Sequence, residues 1–381
     1  MKKVLKNIDK PLLFLTILLF GIGLIMIFSA SNVTAYMKNY ASPYLYFIRQ
    51  TIFVLAGFIA SFIMIHFHSR VYGVFSRIFL LIIALALGGL LLYGTVKNQA
   101  ISWIDFGSFS IQPSEFAKVI TIVYLATYYE KHKKKLDSIV TSLFPLLIPG
   151  LIAGLIFVQP DLGTMLIYSS IVAFIFFISP ISKEIRNKIS FIVVSLVVIV
   201  VLVFVNNGNE LLKTRQLQRF DFSDPCSEEK FYGSGNQVCN GYIAINNGGL
   251  TGLGLGNSTQ KYLYLPEAHT DFIFAIILEE VGVVGAAFIF ILYFLLLGRI
   301  IKIGRESYTD RGAIICYGVA FYIILHITVN LGGILGLMPM TGVPLPFMSY
   351  GGSFAVCLVL ALTLVQRVNI ENKLKENRQR K

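Results

Sequence analysis

Long apolar runs separated by short polar intervals dominate this chain. A helix needs roughly 20 apolar residues to cross the hydrocarbon core of a bilayer. Ten runs approach that length, at about 11–31, 45–65, 74–94, 113–129, 139–158, 162–179, 189–206, 271–298, 312–334 and 352–366. The first is longer than the apolar core of a cleavable signal, and a second span follows almost at once, so it is expected to be retained. The pattern predicts an all-α polytopic integral membrane protein, with about ten transmembrane helices in one membrane domain over 1–381. One polar interval is long, about 207–270, and reads as a large loop within that domain. The stretch GLMPMTGVPLPFMSYGGS (336–353) carries too many prolines and glycines for a regular helix. Non-helical backbone near membrane depth survives only where protein or a wet cavity covers it. A re-entrant segment lining a site is therefore expected before the last helix.

Composition agrees. Of 381 residues, 56% are hydrophobic and 14% charged, against about 25% charged in soluble domains. A water-exposed surface so poor in charge would aggregate. The net charge of +12 would suggest nucleic acid in a soluble protein, but its distribution gives another reason. Ten spans put both termini on one side, and that side holds 23 of the 32 Lys and Arg residues; the other side holds 8, and Lys118 lies within a span. The positive-inside rule then places both termini in the cytoplasm and the long loop outside, with no nucleic acid required.

Several constellations carry candidate chemistry. Glu115 and Lys118 stand three apart at the start of the fourth run, on one helical face. Charges within a span are costly and tend to mark function; the two form either a self-neutralising pair or the floor of a polar cavity. Asp161 in QPDLGT (159–164) is placed to cap the sixth helix. Glu267, His269 and Asp271 fall within five positions at the entry to the eighth run, where apolar walls could raise a carboxylate toward the range of a general base. The competing reading is helix capping by Thr270 or Asp271. Glu279 and Glu280, two turns deeper, are functional or paired. GGLTGLGLG (248–256) lacks the Lys-Ser/Thr of a phosphate-binding loop, so a tight turn with close backbone approach is the simpler reading. The five His and four Cys show no metal-ligand spacing. Cys316 and Cys357 lie within spans, whereas Cys226 and Cys239, 13 apart in the one long outer loop, suggest a disulfide.

The blocks SWIDFGSFSIQPSEFAK (102–118), QPDLGT (159–164), GGLTGLGLGNSTQKYLYLPEAHTDFIFAIILEEVG (248–282) and MPMTGVPLPFMSYGGS (338–353) resemble the signatures of the SEDS family of bacterial cell-wall proteins (shape, elongation, division and sporulation). The wording YLPEAHTDFIFA is closer to the family's division branch than to its elongation branch. The resemblance implies a peptidoglycan glycosyltransferase in the plasma membrane, polymerising lipid II at the outer face. Its implied partners are a class B penicillin-binding protein transpeptidase and other division or elongation membrane proteins. It puts the catalytic carboxylate on Asp271 and the family's Glu and Lys on Glu115 and Lys118. Two departures are Phe354, where a second Ser is common, and the Cys226–Cys239 insert.

The chemistry asks for little more than a base and cations. Lipid II leaves its pyrophosphate readily, so a base must take a proton from the acceptor hydroxyl, and cations must meet charge on the pyrophosphate. Lys118, Arg215 and Arg219 are the candidate cations, with His269 as a further substrate contact. No cofactor is required, although a divalent cation could serve. Direct displacement inverts the anomeric centre. The rival readings are a lipid II flippase, a scaffold that activates a synthase, and an elongation-type polymerase.

Overall fold

The computed structural model describes residues 2–39, 42–93, 95–97, 100–107, 109–191, 224–231, 235–262 and 264–380. Ten helices organise them: α1 (Lys10–Asn39), α2 (Leu45–Met64), α3 (Ser69–Tyr93), α4 (Pro113–Lys131), α5 (Ile139–Val158, with a short 3₁₀ turn at Phe144–Leu146), α6 (Leu162–Ile178), α7 (Asn236–Gly248), α8 (Ile273–Arg305), α9 (Asp310–Ile334) and α10 (Gly352–Gln379). Seven of them, α1, α2, α3, α5, α8, α9 and α10, are long and apolar enough to cross a membrane. α6 is apolar but only 17 residues long. α4 is less apolar because other helices, rather than lipid, surround it: 13 of its 19 residues are buried. The run expected at 189–206 lies almost wholly outside the described residues, as do Arg215 and Arg219. One element beyond the all-helical expectation is a small antiparallel sheet of β1 (Thr95–Lys97), β2 (Ala100–Asp105) and β3 (Ser110–Ile111), leading into α4.

α10 is the axis. Within its apolar window 89% of residues are buried in the molecule, against 17% for α2. It also runs past the end expected near 366. The extension is helical because its polar residues cap other helices. Glu371 accepts from the Ser69 backbone N–H (2.7 Å) and hydroxyl (2.8 Å) at the start of α3. Arg367 pairs with Glu371 (2.9 Å) and donates to the Ile65 carbonyl (3.0 Å) at the end of α2. Orphan groups at both sides of the α2–α3 turn are thus met by one helix. Gln366 exchanges two hydrogen bonds with the backbone of Asp9, and Asn369 donates to Asn7 O. Asp9 in turn caps α1 through Leu12 N (2.9 Å) and takes a two-pronged contact from Arg299. The start of α1 and the latter part of α10 therefore share one end of the bundle.

The opposite end is built around a break in α8. Gly282 sits at φ 67°, ψ −175°, which splits the helix into 273–281 and 283–305. Such a break frees backbone groups that hydrocarbon cannot satisfy. The glycine-rich stretch supplies the partners: Leu253 N and Gly254 N donate to Glu279 O and Glu280 O (both 2.9 Å), while Val283 N and Val284 N donate to Gly249 O and Leu250 O (both 3.1 Å). The glycines serve backbone approach, as the simpler sequence reading held. A Cβ on Gly252 would lie 2.3 Å from Glu280 O, and one on Gly248 2.0 Å from Leu278 O.

Two buried glutamates fasten the same loop. Glu279 accepts from Asn247 Nδ2 (3.1 Å), Thr259 Oγ1 (2.8 Å), the backbone of Thr259 and Gln260 (3.3 Å each) and Ser258 Oγ. Glu280 pairs with Lys261 (3.0 Å) and accepts from Ser29 Oγ of α1 (2.6 Å). Both are paired residues of the scaffold.

Alanine at two of the glycines separates conformation from space. Gly256 has φ +84° with open space around it, so Gly256→Ala is expected to cost only ~1–2 kcal/mol of left-handed strain. Gly252→Ala adds a collision with the Glu280 carbonyl and should cost a further ~1–3 kcal/mol. Thermal unfolding of the two variants in detergent checks the order; equal midpoints would show that docking does not require the glycine.

Candidate active site

Residues 335–351 form the hub of the loop end. They are not helical, yet Val343, Leu345, Phe347 and Met348 are buried. Side chains from the surrounding helices hold this segment as a re-entrant loop. Gln50 of α2 donates from its amide nitrogen to Ser349 O (3.4 Å) and accepts from Gly351 N (3.1 Å) with its amide oxygen. Tyr293 of α8 donates to Pro346 O. Ser349 Oγ accepts from Leu345 N (2.8 Å), closing a local turn.

The segment also grips the sequence-predicted triad of acids and histidine. Three consecutive carbonyls are engaged: His269 O accepts from Tyr350 N (2.9 Å), Thr270 O from Ser349 Oγ (2.7 Å) and Asp271 O from Asn330 Nδ2 of α9 (2.8 Å). The second hydrogen of Asn330 Nδ2 goes to Val343 O (2.8 Å), so one amide clamps both strands of the site. The helix begins after this: Phe272 holds the cap position of α8, and no side chain caps it. Neither Thr270 nor Asp271 is used as the cap. Thr270 instead donates to the Glu267 carboxylate (2.8 Å), across a turn in which Glu267 has φ +55°.

Asp271 lines a narrow cleft, with room for about one water molecule, together with Asn330, Gly333, Met340, Thr341 and Gly342. A Cβ on Gly342 would stand 3.3 Å from Asp271 Oδ2, so the glycine keeps that side of the carboxylate open. α6 closes the rim. Asp161 caps α6 by accepting from Thr164 N (3.1 Å), and its other oxygen accepts from Gln112 Nε2 (3.3 Å). Gly163 packs against Thr341, where a Cβ would be 2.6 Å from the carbonyl. Around the corner the His269 ring clusters with Tyr46 (4.4 Å between centroids) and Tyr350 (5.7 Å), which also meet each other edge-on (5.0 Å), and Arg49 hydrogen-bonds the Tyr350 hydroxyl.

Glu115 and Lys118 are brought together in the core, both almost fully buried, 2.8 Å apart. They stand behind the same hub, one histidine removed. Lys118 Nζ contacts His326 Nε2 (3.3 Å), and His326 Nδ1 contacts Pro344 O (3.3 Å). An ammonium can only donate and a carbonyl only accept, so the ring is a neutral imidazole with its proton on Nδ1. The pair thereby supports the re-entrant segment through one histidine. His326, Asn330 and Gln50 were not singled out from the sequence as site residues. The signal was present: lone polar side chains within apolar runs, with His326 and Asn330 one helical turn apart.

Cys226 and Cys239 are joined by a disulfide. It ties a turn of the long loop to α7, and α7 packs on the first half of α8, with Gly241 against the Phe272 ring. Among the described residues no three His, Cys, Asp or Glu side chains meet in a way that could hold a metal ion.

With this geometry in view, similarity to known proteins is extensive. Residues 10–374 match the model of a family described as cell cycle proteins and named for FtsW, RodA and SpoVE. The chain is 37% identical to the probable peptidoglycan glycosyltransferase FtsW of Bacillus subtilis, over 100% of this chain and 95% of that one. It is 34% identical to stage V sporulation protein E of the same organism, over 95% and 96% of the two chains. Among solved structures, a chain of a peptidoglycan synthase complex that coordinates polymerization and crosslinking superposes with a TM-score of 0.74 at 24% identity, covering 96% of this chain and 98% of that one. The rod shape determining protein RodA of Thermus thermophilus gives 0.65 at 24% identity, covering 94% and 96%.

The buried pair makes a defined coupling test. Lys118→Met leaves Glu115 charged and unpartnered, at an expected cost of ~3–5 kcal/mol. Adding Glu115→Gln to that variant should recover most of the loss in thermal midpoint. Two strictly additive losses would show that the side chains do not interact.

Proposed function

This chain belongs to the FtsW, RodA and SpoVE family of cell cycle proteins, and from that premise we propose that it is a peptidoglycan glycosyltransferase that polymerises lipid II, with Asp271 as its general base. The relatives that span nearly its whole length carry that enzymatic name, and its apolar helices make it a bacterial membrane protein.

One observation supports the catalytic assignment above the rest. Asp271 is an acid at the loop end of the bundle, it does not cap its helix, and it opens on a cleft framed by irregular backbone. A base in that position takes the proton of an acceptor hydroxyl as that oxygen attacks the anomeric carbon of the donor. The bond to the pyrophosphate breaks with its electron pair, and the α-linked donor becomes a β-1,4-linked product. Lipid II is an amphiphile, so the site must be reached sideways from the membrane. The asymmetry of Lys and Arg puts both termini in the cytoplasm and the cleft at the outer face.

Charge on the departing pyrophosphate needs cations. Lys118 faces Glu115 and His326 in the core, and so acts on the site through the Pro344 backbone. Arg215 and Arg219 of the long loop are the remaining candidates named from the sequence, and a divalent ion carried by the phosphates themselves would add to them. His269, clustered with Tyr46 and Tyr350 two residues before Asp271, is the further substrate contact.

A class B penicillin-binding protein is the natural partner, since a polymer of lipid II needs crosslinking and one solved neighbour belongs to a complex that coordinates both steps. The 37% identity to a division relative favours a role in septal synthesis. A flippase would use broken helices to line a transport path. Here the backbone freed by the break in α8 is bonded to 249–254, which favours the polymerase.

Asp271→Asn is nearly isosteric and cannot accept the proton. Expression and thermal midpoint should stay near wild type, while polymerisation of lipid II by the purified protein with its partner falls by ~10²–10⁴-fold. A folded Asp271→Asn protein working at the wild-type rate would falsify the assignment. Absence of polymer from the wild type under the same conditions would reject the enzyme reading itself.

A further inference from the structure

The seam between α1 and α8 is open at the end of the bundle away from Asp271. A groove of about 440 Å³ runs there between Phe14 and Leu15 of α1 and Leu295 and Gly298 of α8, and Pro11, Arg299 and Lys302 complete its lining. From Leu295 to Lys302 it extends about 10 Å along the helix, at about 1.5 Å per residue. The sequence accounts for the opening. Gly298 lies on an exposed face of α8, and a Cβ built on it would meet nothing within 4 Å. Phe14 and Leu295, 65% and 54% exposed, stand on either side. Charge gathers at one end. Asp9 is buried and takes Nε and Nη2 of Arg299, so those two neutralise each other. Lys302 stands 3.9 Å from Glu306, beyond hydrogen-bond reach, with 60% of its side chain exposed. Lys10 is exposed next to Pro11, and Arg305 is exposed one turn after Lys302. Three cations thus face one carboxylate at the end of an otherwise apolar groove.

We propose that this groove binds an anionic phospholipid of the cytoplasmic leaflet, with an acyl chain over Gly298 between Phe14 and Leu295 and the phosphate met by Lys10 and Lys302. The leaflet follows from the orientation read from Lys and Arg; the site does not depend on the glycosyltransferase reading. Long lysine stems lie along apolar surface while their ammonium groups reach the headgroup level. A neutral lipid would cover the same apolar walls and leave the cations unmet, whereas basic pockets between helices at a cytoplasmic surface favour anionic headgroups. A transmembrane helix of a partner is a poorer occupant. Its own cytoplasmic flank is basic by the positive-inside rule, and like charges would meet at Lys10 and Lys302. The bound lipid would bridge α1 and α8 beside the Asp9–Arg299 pair that already joins them.

The test is photo-crosslinking of the full-length protein in phosphatidylcholine nanodiscs. Trace phosphatidylglycerol or phosphatidylcholine carries a photoreactive group on one acyl chain, and labelled peptides are read by mass spectrometry. Peptides holding 11–15 and 295–302 should take about tenfold more label from the phosphatidylglycerol probe. Gly298→Leu fills the groove without meeting protein and suits a helix better than glycine, so it should fold as wild type does. Its phosphatidylglycerol labelling should fall to the phosphatidylcholine level. Lys10→Gln with Lys302→Gln should do the same. Lys134→Gln with Lys135→Gln removes equal charge from an exposed run elsewhere and should leave the preference intact. Equal labelling of wild type by the two probes would overturn the proposal without any variant. An unchanged preference in Gly298→Leu would overturn it too, as would a loss in the Lys134 and Lys135 control equal to that in the Lys10 and Lys302 pair. Displacement of the lipid by a co-reconstituted transpeptidase would give the groove to that partner's helix, and would also overturn it.

Discussion

Backbone polar groups in hydrocarbon must be satisfied by protein, and the loop end of this molecule is arranged around that constraint. Two stretches there abandon helical structure: the glycine-rich loop of 249–254 and the hub of 335–351. Neither could exist in lipid alone. The first is paired with the broken turn of α8, backbone to backbone. The second is held by single polar side chains sent in from three helices, Gln50 from α2, Tyr293 from α8, and His326 and Asn330 from α9, with Lys118 of α4 standing behind His326. Asp271 faces the second stretch at Gly342 and leads into the helix piece on which the first is docked, so its position depends on both.

Buried charges in this structure serve the same constraint more than they serve stability. A buried ion pair contributes little over an apolar replacement. Here two of the pairs act on backbone directly and a third acts on it through a histidine. Glu280 and Lys261 tether the glycine loop to α1, Arg367 and Glu371 meet the ends of the α2–α3 turn, and Glu115 and Lys118 brace the hub. In Lys261–Glu280 and Arg367–Glu371 the charged side chains meet backbone groups themselves, at Gly256 O, Ile65 O and Ser69 N.

Much of this was legible in the chain, because lipid imposes a coarse and strong pattern. Apolar runs gave the helices, and Pro and Gly in 336–353 gave the irregular hub. Glycines at 248, 252 and 254 pointed to close backbone approach, which α8 confirms by accepting them at Gly282. The spacing of Asp161 before α6 gave its cap. What escaped was tertiary. The break inside α8 was hidden because Gly282 sits within one long run that reads as a single span on both sides of Glu279 and Glu280, and one glycine does not announce a kink. The last helix was cut short at 366 since charge after it looked like solvent, whereas Arg367 and Glu371 are enclosed. Asn330 and His326 were hidden for a simpler reason: one amide or one imidazole in an apolar span carries no spacing motif, and its partners lie on a segment more than ten residues away.

The break at Gly282 also has a mechanical meaning. A continuous helix of 33 residues would carry torque and tilt from one membrane face to the other as a rigid rod. With no helical ladder across residue 282, bending of 283–305 at the terminal end is not passed straight to 273–281. The shorter piece takes its orientation from the glycine loop, from α7 and from the hub. The orientation of the piece that follows Asp271 is therefore set by what docks on it rather than by the long remainder of the helix.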